Sequence, residues 1–263
     1  MNPRDNRHRL DGFSPATDRA EEDFDAALLS SDMHQPLAVH HTADGRHTYL
    51  LAYDRAAIWD VPGSPAFLSQ HVTRDLTART FTFDQRHHPL LPLAQNWLHR
   101  NGCPLEALVL STADGPVPAD DHTRGTENRL RTDLHGRYTL VDHHTVEPVF
   151  PDHDGETWAL LHDNQAGSAV SPYLLVVEDL AADLSTYRFR EGDFADVDSA
   201  RHWLATRDLP PADTTAADAR AAAARSHTTL TSPGLPAQAP PIPHAPDHRA
   251  APNPVTRPRR SGR

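Results

Sequence analysis

The chain contains no lysine; all 25 of its basic residues are arginine. Chemistry that needs a side-chain amine, such as Schiff-base formation, is therefore excluded. A single cysteine, Cys103, rules out an internal disulfide. The opening "MNPRDNRHRLDG" lacks the apolar stretch that a secretion signal or a membrane span requires. Also missing are the G-x-S-x-G elbow, the phosphate-binding P-loop and the dinucleotide glycine pattern, so acyl-hydrolase, nucleotide and Rossmann readings lose their usual carriers. Positive charge is scarce where a core is expected. Residues 11 to 208 hold 15 arginines against 32 acids, a net of −17, whereas a nucleic-acid groove needs the opposite sign. These absences lead us to expect a cytoplasmic protein with no membrane segment and no nucleic-acid groove in its folded part.

What is plentiful is Ala, Arg, Pro, Asp and His, a bias that fits GC-rich coding. Nineteen histidines and 24 prolines raise the chance that His-His and Asp-His pairs arise by composition alone. From Leu209 onward the sequence is rich in Pro and Ala with few large apolar residues to offset ordering entropy. Residues 211 to 263 are expected to be a disordered tail; the basic ends "PRDNRHR" and "RPRRSGR" are suited to acidic partners, and nucleic acid is expected only at the C-terminal one. Residues 1 to 25 look similarly weak and are expected to be disordered.

Between these ends a pattern recurs. "VHHTADGRHTYLLAYD" (39 to 54) and "DHHTVEPVFPDHDGETWALLHD" (142 to 163) both carry His-His-Thr, an Asp-Gly, then Thr, an aromatic and Leu, ending in Asp. "DLTARTF" (75 to 81) parallels "DLSTYRF" (183 to 189), and "NWLHRNGCP" (96 to 104) parallels "HWLATRDLP" (202 to 210). The landmarks keep their order at offsets of 103, 109, 108 and 106, as a tandem duplication would leave them. Each copy reads as a β-hairpin around an Asp-Gly turn, a further strand near Thr80 to Phe83 or Tyr187 to Arg190, and a closing helix. "YLLVVEDL" adds a strand to the second copy. The expected fold is α+β on antiparallel sheet: a first repeat over 26 to 104, a connection over 105 to 136 whose "TRGTENRLRTDL" forms a surface helix, and a second repeat over 137 to 210.

The run "YTLVDHHT" resembles the DHH phosphoesterases in three residues, Asp142, His143 and His144. The resemblance implies bound divalent metal and a metal-dependent hydrolase, for which carboxylate and imidazole ligands are suited. A second metal reading joins His40 or His41 of one copy to His143 or His144 of the other, with His153, Asp154 or His162 as further ligands; only one of two adjacent strand histidines can face a given site. Against both stands the repeat, in which Val39-His40-His41-Thr42 aligns with Asp142-His143-His144-Thr145, so that the histidines read as strand structure and the aspartate as incidental. Cys103 reads as a small buried residue, because a helix C-terminus does not lower a thiol pKa. Trp59, Trp97, Trp158 and Trp203 read as core anchors, and the polar "DHTRGTE" (121 to 127) and "FREGDF" (189 to 194) as solvated loops. The expected function is a non-enzymatic interaction or regulatory module with a protein or peptide partner and no cofactor. The alternative is a metal-dependent hydrolase using Asp142, His143, His144 and His153.

Overall fold

Central strands buried on both faces read as continuous apolar runs, and "HTYLLAYD" and "ETWALLHD" are such runs. In the computed structural model, which describes residues 7–57, 61–110, 115–146, 155–165 and 170–206, they are strands β3 (His47–Asp54) and β8 (Glu156–Asp163). Each sits inside a five-stranded sheet. The first sheet has the order β1-β5-β4-β3-β2, from β1 (Ser14–Pro15), β2 (His34–His41), β4 (Phe67–Asp75) and β5 (Thr80–His88). The second has the order β6-β10-β9-β8-β7, from β6 (Val117–Pro118), β7 (Tyr138–Val146), β9 (Tyr173–Leu180) and β10 (Thr186–Phe194). Four strands of each sheet are antiparallel, and the two-residue edge strand runs parallel to its neighbour. That short parallel pair is a departure from the all-antiparallel sheet expected from sequence, since a long-range pairing of two residues leaves no periodic signal.

Helices cover both faces of each sheet. On the first, α1 (Asp18–Leu29) packs Phe24 and Ala27 onto Val72, Phe81 and Phe83, and α2 (Leu91–Arg100) packs Ala94 and Leu98 onto Tyr49 and Leu51. On the second, α3 (Asp121–Arg131) brings Leu130 onto Ala159, Leu161, Leu174 and Val176, while α4 (Val197–Thr206) brings Ala200 and Trp203 onto Leu160, Leu175 and Val177. Leu90 and Leu93, at the start of α2, join the α3 cluster, so the units share apolar contact. Truncating a fully buried residue such as Leu51 to Ala should cost about 2–5 kcal/mol.

The helix ends follow from local chemistry. Thr17 Oγ1 accepts the Ala20 N–H (3.2 Å) before α1, and Asp120 Oδ1 accepts the Thr123 N–H (2.7 Å) before α3. After α2, Gly102 takes a left-handed φ of 99° and the Cys103 N–H returns to the Leu98 carbonyl at 3.0 Å.

Two expectations are corrected. Residues 7 to 25 are not a disordered lead-in: they hold β1 and the first part of α1. The buried Arg74 guanidinium fixes them by donating to the carbonyls of His8 and Arg9 and to Thr48 Oγ1, and Phe13 lies under Arg79 (4.4 Å). One aromatic on α1, Phe24, was too weak a pattern to reveal the helix. The helix read as a surface connector is α3, whose Thr123, Thr126, Glu127 and Leu130 are buried against the second sheet; the connection thus supplies β6 and α3 to the second unit. The tail from residue 211 lies outside the described residues, as does Trp59.

Candidate functional site

Strand register decides what the His-His-Thr motif is. His40 lies opposite Tyr49 and His41 opposite Thr48, with a break between Pro36 and Ala38. His144 lies opposite Trp158 and Thr145 opposite Thr157, with a break between Leu140 and Asp142. Counted from the central strands, His40 corresponds to His144 and His41 to Thr145, one residue away from the alignment by letter identity. A one-residue slip exchanges the faces of a strand. The matched residues are therefore His40 and His144, which stack on Tyr49 and Trp158 at the same separation, 6.2 Å, with interplanar angles of 22° and 24°. Asp142 corresponds to Ala38.

Asp142, His144 and His162 of the metal reading have other engagements. Asp142 Oδ2 accepts from Arg201 Nη2 (2.7 Å) and Nε (3.2 Å) on α4, and its Oδ1 accepts the His143 N–H (2.9 Å). His143 points to the opposite face from His144, and its Nδ1 is buried without a hydrogen-bond partner. His162 Nδ1 lies 2.9 Å from Asn164 Oδ1. His153 and Asp154 lie outside the described residues. Among the described residues no group of three or more His, Cys, Asp or Glu is placed to hold a metal ion.

Cys103 is buried in the α2 cluster and burial pushes its thiol up to about 12. His99 Nδ1 lies 2.8 Å from the Cys103 carbonyl oxygen, and His87 is 3.2 Å from Asp54 Oδ2. On the same face of the first sheet, His71 stacks on Tyr49 (4.5 Å, 6°) with its Nε2 3.1 Å from His47 Nδ1. Burial, with His47 adding to it, holds His71 down at about 4.

The register also exposes a feature that the sequence reading missed. Counted from their caps, Phe24 of α1 corresponds to Glu127 of α3. Counted through the sheets, Val72 corresponds to Glu178 and Phe81 to Tyr187. In the first unit Phe24 packs its ring 5.3 Å from both Phe81 and Phe83. The second unit places two carboxyls and a phenol there. Tyr187 donates its O–H to Glu127, and Arg131 Nη1 stands 3.5 Å from Glu127 Oε1. Burial pushes the Glu178 carboxyl up to about 8, with Glu127 and Asp179 adding to the rise. The signal was available: period-two alternation puts Glu178 on the face of Leu174 and Val176.

No protein-family model, curated protein or solved structure matches the chain. The surface must then be read on its own terms. No helix among the described residues is long and apolar enough to cross a membrane. The two long edge strands differ. β2 is packed by a 3-10 turn, Leu105–Leu108, which places Ala107 and Leu108 with Leu37 and Ala38. β7 leaves Leu140, Val141 and Val146 exposed at 37%, 45% and 41%, and Val61, on the loop that meets this strand, is 60% exposed. That loop pairs with β7 through Gly63, whose carbonyl accepts the Thr145 N–H (3.2 Å). Gly63 has a φ of 84°, and a Cβ there would lie 2.2 Å from His144 Nδ1, so only glycine suits this close approach.

Proposed function

We propose that the chain is a non-enzymatic, cytoplasmic protein-interaction module, made of two α+β units descended from one by tandem duplication, and that its β7 edge receives an apolar segment of a protein partner. The observation that carries this reading is the run of exposed apolar residues on β7, with Val61 beside it. Edge strands are normally kept polar, short or covered, so exposed apolar residues on one favour a contact surface. The strand's own backbone is partly occupied, at Thr145 by Gly63 and at His143 by Asp142. Recognition would therefore run through side chains more than through an added strand. The net charge of −17 across residues 11 to 208 favours a protein or peptide over nucleic acid, which leaves the basic C-terminal end as the one segment suited to nucleic acid. Duplication is supported by the shared strand order, the paired register breaks and the matched helix caps.

The test uses the full chain and its Leu140→Asp/Val141→Asp variant as baits in native lysate, with melting temperatures measured in parallel. A partner recovered reproducibly by the parent and lost by an equally stable variant is the expected result. Recovery unchanged by the variant, or no reproducible partner for either, would remove the proposal.

A further inference from the structure

The two sheets differ at one matched place in how they treat positive charge. In the second, Arg190 of β10 donates to both carboxylate oxygens of Asp179 on β9 (2.5 and 2.8 Å), and Glu156 of β8 stands 3.8 Å from the same guanidinium. Counted through the registers, Glu156 corresponds to His47, Asp179 to Thr73, Val177 to His71 and Arg190 to Asp84. The second sheet thus supplies its own cation and two carboxylates to hold it. At the same places the first sheet has two imidazoles, a hydroxyl and an acid where the cation would be.

The two imidazoles are in contact. His71, 8% exposed, lies on Tyr49 (4.5 Å, 6°), and Tyr49 is fixed in turn by donating its O–H to the Asn101 carbonyl after α2 (2.8 Å). His47, half-buried, stacks beside His71 with ring centres 5.3 Å apart and brings its Nδ1 to 3.1 Å from His71 Nε2. Thr73 Oγ1 is 3.4 Å from both nitrogens. Two imidazole nitrogens bound to one zinc ion at about 2.05 Å lie roughly 2.9 Å apart at a right angle and roughly 3.3 Å apart at a tetrahedral one. The observed separation falls between these. It also suits an N–H···N hydrogen bond, which one ring gives up by moving its proton to its other nitrogen. A turn of each ring then aims both lone pairs at one point beside the line between them.

The surroundings favour a cation. Burial keeps His71 unprotonated down to about 4, so its lone pair is available at neutral pH. Asp84, opposite His71 on β5, and Asp44, in the turn before His47, are both within electrostatic reach of the rings.

We propose that His47 and His71 chelate one borderline transition ion, best matched by zinc, which joins β3 to β4 and meets the nearby acids as the Arg190 guanidinium does in the second sheet. Only two side chains supply ligand atoms. Water completes the coordination, and the ion exchanges freely where a closed four-residue centre would retain it. Nitrogen ligands select against magnesium and calcium, which take oxygen. The inference does not depend on the interaction reading above.

Zinc titrated into the metal-free full chain tests it, followed by calorimetry and by nitrogen NMR of the assigned imidazoles. The His47 and His71 signals should shift together and saturate, and magnesium should move neither. His47→Gln, at the half-buried ring, should weaken this binding by roughly tenfold or more, whereas His143→Gln should leave it unchanged. Zinc should also raise the melting temperature of the parent chain and of His143→Gln but not of His47→Gln. No shift of either ring in excess zinc, or zinc binding of undiminished affinity in His47→Gln, would overturn the proposal.

Discussion

Single residues carry different messages in the two units even where their letters agree. The "DHHT" string looks like a ligand set, but strand geometry divides it. Asp142 and His144 face α4, where they meet Arg201 and Trp158, while His143 faces the other way. Letter identity could not reveal this, because register is fixed by the break between Leu140 and Asp142 and not by the motif. Asp142→Asn should leave stability almost unchanged, because its ion pair with Arg201 is solvent-exposed; a urea titration measures it. Gly63→Ala should cost more, roughly 1–3 kcal/mol, through left-handed backbone and the clash with His144. Buried histidines add a pH effect. His71 and His88, held down at about 4 and about 3 chiefly by burial, stay neutral in the fold. An unfolded histidine takes a proton below about 6.5, so their contribution is present above that pH and is lost as pH falls toward the folded values. Their counterparts in the second sheet are Val177 and Phe194. Acid should therefore weaken the first unit before the second, which exchange rates of β4 and β9 amides can resolve.

At the scale of elements, the sequence was most legible where one short pattern suffices. The Asp-Gly turn of the first hairpin forms with Gly45 at φ 72° and Asp44 Oδ1 accepting the Arg46 N–H at 3.0 Å. The helix "PLLPLAQNWLHRNG" forms with Pro in its first turn and Gly102 beyond its end. The further strands near Thr80 and Tyr187 form, but as parts of four-stranded antiparallel meanders. The "DLTARTF" and "DLSTYRF" strings were aligned two residues out, since Phe81 corresponds to Tyr187 and Phe83 to Phe189. A two-residue slip keeps the faces, so this error left the inward aromatic pattern intact. Elements that depend on partners distant in sequence were illegible: β1 and β6 need β5 and β10, and α1 needs Arg74 to hold the segment ahead of it. Deleting residues 1 to 13 should consequently lower the melting temperature measurably, because Arg74 would lose acceptors inside a buried site. Thr17→Ala and Asp120→Ala should each cost about 1 kcal/mol as lost helix caps.

For the whole molecule, the two units share strand order, register breaks and helix placement, yet differ in what they bury and in what they leave open. One buries neutral histidines and packs a 3-10 turn on part of its β2 edge; the other places the buried Glu127 and the half-buried Glu178 between α3 and its sheet and leaves apolar β7 residues in solvent. That asymmetry is what the interaction proposal rests on, and it supplies an internal control. Val141 on β7 and Val39 on β2 are comparably exposed, at 45% and 40%, but only the first lies on the strand proposed to meet a partner. The most direct measurement is photocrosslinking in living cells from a photoreactive side chain placed at Val141 or at Val39 of the full chain. The account predicts one discrete protein adduct from position 141 and none of that size from position 39. Equal adducts from both positions, or none from position 141 with the protein expressed and folded, would contradict it.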